Sequence, residues 1–476
     1  MPVLKRLGNR VDVVVIGAGP AGTTAARLLA EWGHSVALVS RPPERRSLAE
    51  SLPPSIRKLL AHVGILKRVE RAGFLPATGN TAWWGDAQGR AEDFAGETGF
   101  QVLRSEFDRL LFDAARQSGV RCLLASVSRV EVGEAVTTSV AFGRRRLHAR
   151  FVLDCSGRAG VLGRRFRVKE KRLAMVALNG VWESAAAFPG VEATRTLVES
   201  YADGWAWSVP LSPRRRHVAF MMDPRPGARY QDELRKTTQL RRVLDAATLV
   251  EKPWACDASV YGARAFAGPR FLLVGDAGSF LDPMSSFGVK KALASAWLAA
   301  VVANTCLRHP ERSQAALRLF ESREREMAAT YARESARHAR EVADRYATPF
   351  WTRRAEAEAS VASEDALLRS AFLTLKASER VSLRLAEDAR FTQAAEVRGR
   401  EVVLREALTA PALPEPVRYV RGVELPRVAR LALECDELGE VFEAYNRSGA
   451  AVPLPDLLAA VSFLLAKGIV TPKKTY

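Results

Sequence analysis

The stretch VDVVVIGAGPAG, residues 11–22, constrains this chain more than any other. Apart from Asp12, residues 11–16 are apolar and β-branched, the pattern of a parallel strand buried on both faces. Gly17-Ala18-Gly19-Pro20-Ala21-Gly22 follows at once, and Ala21–Trp32 is rich in helix formers, with Gly33 as its stop. A G-x-G-x-x-G set between a strand and a helix is the turn that brings backbone N–H groups to a pyrophosphate. Gly17 makes the tight turn, Gly19 lets the phosphates approach, and Gly22 lets the helix pack on the strand. Pro20 and Ala21 open the helix, whose N-terminus offers its positive dipole end. Ser35–Val39 reads as the next strand, so the fold class is α/β and begins with a Rossmann-like βαβ unit.

The pattern then changes twice. Between about 170 and 260, short alternating runs such as Met175–Trp182, Trp205–Val209 and His217–Met221 predict an antiparallel sheet outside the nucleotide fold. Phe271–Val274 returns to the buried-strand pattern. Residues 311–345 predict a long charged helix, and 355–410 also read as helical. Three short helices, Val423–Leu433, Leu438–Tyr445 and Leu457–Ala466, are expected near the end. The domain reading is a dinucleotide-binding domain at 1–170 plus 261–345, which includes part of the substrate sheet at 74–103. A substrate domain follows at 171–260 and a C-terminal helical domain at 346–476.

Composition excludes several classes. With 48% hydrophobic and 26% charged residues, 476 residues are neither disordered nor fibrous. The net charge of +18 lies wholly in residues 1–350, with 53 basic against 35 acidic residues; residues 351–476 carry 18 of each. A neutral C-terminal segment argues against DNA binding, which needs phosphate neutralisation, so no nucleic-acid partner is expected. The apolar run Ala292–Ala303 is short of the roughly 20 residues a membrane span needs, and Val13–Ile16 is too short for a signal-peptide core. A soluble, cytoplasmic protein without a membrane span is expected. Cys122, Cys155, Cys256, Cys306 and Cys435 are widely spaced and odd in number, which predicts neither a disulfide framework nor a metal site.

Two more motifs narrow the dinucleotide. The acid expected at the end of the second strand, to bind ribose, is replaced by Ser40, followed by Arg41; Glu44 is a poorly placed substitute. Further on, Gly275-Asp276-Ala277-Gly278 ends a strand, and Pro283, Gly288 and Val289 lead into a helix. A second glycine-acid turn with a following helix N-terminus suits FAD: the acid meets the ribityl chain, and helix N–H groups favour negative charge on the flavin edge. Asp154-Cys155-Ser156-Gly157-Arg158, after another buried strand, is the third piece.

In order and spacing these motifs resemble the FAD-dependent aromatic monooxygenases of glutathione-reductase-like fold. The likeness is closest to their flavin-dependent halogenase-like branch, which includes flavoproteins that hydroxylate tryptophan in a protein during quinone-cofactor maturation. Ala49-Glu50-Ser51-Leu52-Pro53-Pro54 is similar to the branch's "GES" segment. Gly79-Asn80-Thr81-Ala82-Trp83-Trp84-Gly85 resembles its substrate-domain strand. Leu103-Arg104 with Phe107-Asp108 resembles its "R..FD" helix start, which implies that Arg104 reaches the FAD. Gly204-Trp205-Ala206-Trp207-Ser208-Val209-Pro210 resembles its WxWxIP signature.

One departure carries functional weight. Halogenases of this branch hold hypohalous acid on a lysine after a Gly-Phe pair. Here Gly73-Phe74 puts Ala77 at that position, and no lysine lies between Lys67 and Lys169. The expected activity is therefore hydroxylation of an indole- or phenol-type substrate, small or tethered to a peptide or carrier, through a flavin C4a-hydroperoxide. Alternatives are a halogenase without the usual lysine and a non-catalytic flavin-fold binding protein. Glu50 is the expected acid or base. Trp205 and Trp207, with Trp83 and Trp84, are expected to wall the substrate site, against the alternative of sheet-core packing. Electrons would come from a flavin reductase or from NAD(P)H, for which no second glycine motif is present.

Overall fold

The computed structural model describes residues 9–472 apart from 43–46, 87, 134–135, 141–145, 286, 357–367, 369, 374, 376–382, 414, 436, 448 and 450. Glu44 thus lies outside the described residues. The chain divides into two compact units, Met1–Glu358 and Ala359–Tyr476.

The first unit is built on a parallel sheet whose strands run Phe271–Leu273, Arg146–Asp154, Arg10–Ile16, Val36–Ser40, Arg121–Leu124 in spatial order. Val13, Val14 and Val15 are inaccessible to solvent, as strands covered on both faces must be. The register pairs Ile16 with both Val39 and Asp154, and Asp154 with Leu273. Four strand ends therefore finish level, at the edge where open α/β sheets bind ligands. The helices Pro20–Glu31 and Gly288–Arg308 pack on each other, so the starts of both face that edge.

The second sheet is the antiparallel one. Val176–Ser184, Arg215–Met222, Gly204–Ser212 and Thr196–Tyr201 are its centre, and Trp254–Asp257 pairs along Val176–Asn179. Two further strands, Gly79–Trp83 and Arg90–Asp93, extend it, Gly79–Trp83 lying parallel to Thr196–Tyr201. One face packs Trp182, Phe188, Phe220 and Tyr230. The other packs Trp84, Met175, Trp205, Met221 and Trp351. A three-stranded sheet of Ala49–Leu52, Gly99–Leu103 and Leu75–Ala77 completes the unit.

The second unit holds helices Leu425–Glu434, Leu438–Arg447 and Leu454–Ala466, close to the expected three, and Val470–Pro472 pairs with Leu383–Leu385. The helical reading of 355–410 fails over its last part. Arg390–Arg398 and Glu401–Thr409 form a nine-residue antiparallel hairpin turned at Gly399, whose φ is +61°. Its Ala, Glu and Arg residues favour helix, but glycine at a left-handed position favours the hairpin turn. No helix among the described residues is long and apolar enough to cross a membrane.

Candidate functional site

A cavity of about 1230 Å3 opens where the parallel strands end. Gly17, Gly19, Pro20 and Ala21 form one side of it. Gly17 sits at φ +102°, and a Cβ there would come within 2.4 Å of the Cys155 carbonyl oxygen. Gly22 stands behind the wall: its Cβ would lie 1.8 Å from the Gly17 oxygen, so it is the packing glycine. At Gly19 a Cβ would meet only Arg104 Nη2, at 3.8 Å. Gly19 caps the helix Pro20–Glu31 with no side-chain hydrogen bond, and the first turn carries no acid. Helix N–H groups thus remain free before an open space, the arrangement that takes a phosphate anion. Ser40 and Arg41 line the same end.

The Asp154 loop contributes backbone rather than charge. Asp154 Oδ2 accepts from the Leu162 and Gly163 amides at 2.7 and 2.8 Å, and Oδ1 accepts from the Ser156 amide at 3.0 Å. The carboxylate pins the loop, leaving Cys155–Ala159 along the cavity. Burial pushes the Cys155 thiol well up, with Asp154 adding to it, so it is a packing group rather than a nucleophile.

Asp276, Pro283, Gly288 and Val289 line the opposite wall. Gly275 stands behind it at φ +61°, its amide bonded to Ser295 Oγ at 3.0 Å. Helix Gly288–Arg308 also starts without a side-chain cap, and nothing lies within 4 Å of where a Gly288 Cβ would stand. A second uncapped helix start therefore reaches the cavity, suited to negative charge.

Glu50 and Arg104 meet across paired strands. Arg104 Nε and Nη2 donate to the two oxygens of Asp108 at 3.0 Å each, and Nη1 donates to Glu50 Oε1 at 3.3 Å. Burial pushes the Arg104 pKa down, but Asp108 and Glu50 outweigh it and raise it overall. At Glu50, burial raises the carboxyl pKa; Arg104 pulls it back, and Asp276 and Asp108 push it further up. The outcome is a carboxyl on the cavity wall shifted toward neutrality, as acid–base work requires.

Above this lies the antiparallel sheet, through Ala177, Asn179, Trp207, Ala219 and Met221. Trp207 lines the cavity. Trp205 does not: it points from the same face but lies under Trp84, 1% exposed, with their rings 6.3 Å apart. Trp84 in turn meets Trp351 edge-on at 5.3 Å and donates to the His338 carbonyl. Trp83 packs with the sheet's other face. Of the four tryptophans, one borders the cavity and three are core.

Residues of the motifs 11–22, 154–158 and 275–289 therefore converge on one elongated cavity with two uncapped helix starts, the donor set an FAD diphosphate and isoalloxazine would need. The FAD binding domain family matches residues 10–345. This chain belongs to that family. The cavity just described is lined wholly by residues within that match. Among relatives, the tryptophan 2-halogenase of Chondromyces crocatus is 31% identical over 324 residues, covering 62% of this chain and 61% of that protein. The 1H-pyrrole-2-carbonyl-peptidyl-carrier-protein chlorinase of Pseudomonas fluorescens is 28% identical, over 60% of this chain and 74% of that one. The chain thus matches under two thirds of the first relative's length. Among solved structures, the flavin-dependent halogenase CmlS shares the fold at TM-score 0.79, 22% identity, over 98% of this chain and 96% of that one. The peptidyl tryptophan dihydroxylase QhpG does so at 0.70 and 24%, over 96% and 99%.

Among the wall residues given no role from the sequence are Lys291, Asp282 and Asn179. Lys291 was visible only as a cation at the start of an apolar helix. Burial raises the Asp282 carboxyl pKa, against the Met284 amide bonded to it at 3.1 Å. Asn179 donates to Cys256 Sγ at 3.1 Å.

Proposed function

We propose that this protein is an FAD-dependent monooxygenase that adds one oxygen atom of O2 to an electron-rich aromatic ring, indole- or phenol-type, free or tethered to a peptide or carrier. The observation behind this reading is Ala77. At the position where the resemblance expects a lysine stands a fully buried methyl group on the strand Leu75–Ala77. The one lysine lining the cavity among the described residues, Lys291, has its ammonium engaged by Gly275 O, Asp276 Oδ1 and Ser279 O. No amine is left over to carry hypohalous acid.

Bound in the reduced state, FAD would supply the two electrons that activate O2. The residues of the chain would do the rest. The Gly17–Ala21 turn and the start of helix Gly288–Arg308 hold the cofactor's anionic parts. Trp207, Ala219 and Met221 give the ring an apolar wall that excludes water. Glu50, whose Oε2 has no protein partner among the described residues, would act from its ionised form, which Arg104 stabilises: it would take the proton the ring gives up when one oxygen atom adds, while the other oxygen of O2 leaves as water. The electron donor in this reading is a partner reductase or NAD(P)H.

Halogenation is the second reading, favoured by the names of the curated relatives at 26–31% identity. Turnover with reductase-supplied reduced FAD, O2, excess bromide, and indole or a tryptophan-containing peptide separates the two. The expected product gains one oxygen and no bromine; a brominated product overturns the proposal.

A further inference from the structure

Lys291 lies in the first turn of helix Gly288–Arg308 and is 2% exposed. Its three acceptors, Gly275 O at 3.3 Å, Asp276 Oδ1 at 3.4 Å and Ser279 O, all belong to the turn that presents Asp276 to the cavity. One ammonium therefore ties that turn to the helix start and fixes one Asp276 oxygen.

A second carboxyl stands behind it. Glu324, on helix Ser313–Tyr346, is 1% exposed, and its Oε2 has no hydrogen-bond partner among the described residues; neither has Ser279 Oγ. Its side chain is hydrogen-bonded to Ser295, which accepts the Gly275 amide. Both routes from Glu324, through Ser295 and through Lys291, end on the same turn. Besides Lys291 and Asp276, Glu321 of its own helix faces it; that carboxylate is engaged by the Phe266 and Ala267 amides and by Arg325. Burial pushes the Glu324 carboxyl up to about 7; Lys291 and Ser295 pull against the shift, while Asp276 and Glu321 add to it. A buried carboxyl with an unsatisfied oxygen is costly unless it serves a purpose.

We propose that Lys291 is a positioning residue for the flavin, acting through Asp276, and that Glu324 is the counter-group that sets how far the charge of Lys291 is committed to Asp276. The inference rests on the flavin site and not on the choice between oxygen transfer and halogenation. Two-electron reduction of the bound flavin, with the electrons from an external reductant, adds negative charge to the cavity. Where Glu324 is ionised beforehand, it takes up one proton from solvent on reduction, in addition to the proton the flavin itself binds. Below about pH 7 the proton is already in place.

The experiment uses full-length apoprotein and FAD, with no substrate, so its failure is distinguishable from failure of the oxygen-transfer reading. FAD affinity is read from quenching of flavin fluorescence, and the midpoint potential from dye-equilibrated titrations across pH 6 to 9. Lys291→Met is expected to weaken FAD at least tenfold. Asp276→Asn/Lys291→Met should bind no more weakly than Asp276→Asn alone, because the lysine acts through the acid. Glu324→Gln should bind FAD within about twofold of wild type at pH 6. It should also lose the extra proton uptake, a tenfold change in the reduction equilibrium per pH unit above pH 7, or about 30 mV per unit for a two-electron couple. Lys291→Met binding FAD like wild type, or additive losses in the double variant, would overturn the positioning role. If Lys291→Met does not fold, the Glu324→Gln profile decides alone: coincidence with the wild-type profile overturns the proposal.

Discussion

The two ends of the flavin cavity are made of different materials. The end proposed for the phosphates is backbone: glycines where a Cβ would collide, and an uncapped helix start. The end proposed for the reaction is side chain: Trp207 and Met221 on the antiparallel sheet and Glu50 on the strand Ala49–Leu52 of the smaller one. Backbone geometry at the first end recognises a shape common to many dinucleotides and tolerates little change. In the proposed reading, side chains at the second end choose the chemistry and the cofactor is held at the first.

That division can be broken most severely at Gly22. A Cβ there falls 1.8 Å from the Gly17 oxygen, a backbone atom that cannot swing aside. Gly22→Ala should abolish flavin retention and lower the melting temperature, read by flavin absorbance and a thermal melt. A yellow, stable Gly22→Ala protein would show that the first end is not rigid.

Next in size is Glu50→Gln. It should lower turnover by roughly a hundredfold, the usual loss for a general acid or base, while FAD binding stays within a few-fold of wild type. Equal losses in both would erase the distinction between the ends.

A third expectation concerns the sheet beside Trp207. His217 is buried, with neither ring nitrogen hydrogen-bonded among the described residues, and burial lowers its pKa to about 4. A histidine lowered in the folded state contributes its stability in full above the ordinary value near 6.5, and loses it as pH falls toward 4. That loss is roughly 3 kcal/mol at most. Denaturant melts from pH 7 to 4 should show it, and His217→Leu should flatten the profile between those limits. An unchanged slope would mean that the imidazole is not held neutral by burial.

The smallest effect is expected at Ser40, which stands where a ribose-binding acid is usual. Ser40→Asp should tighten FAD by a few-fold, as expected for about 1 kcal/mol from a charge-assisted hydrogen bond. Weaker binding would mean the ribose hydroxyls are held elsewhere.

What could be read before folding follows the same division. Gly17, Gly19 and Gly22 announce themselves because a turn of that shape admits few residues at those positions. Asp276 and Gly288 were legible for the same reason. Trp205 and Trp207 could not be told apart, since both point from one face of one strand. Which of them borders the cavity is decided by Trp84 and Trp351, more than a hundred residues away in either direction. Lys291 stayed hidden because its partners at 275–279 come to it only in three dimensions. The hairpin 390–409 was misread because its residue types favour helix, while the turn is set by Gly399 at a left-handed φ.

The central claim is that a cofactor held by the glycine end delivers oxygen at the Trp207 end without a lysine carrier. Turnover under isotopically labelled O2 with bromide present, followed by mass analysis of the product, tests it most directly. The expected result is one labelled oxygen atom per product molecule and no bromine. A bromine in the product, or an oxygen drawn from water, would contradict it.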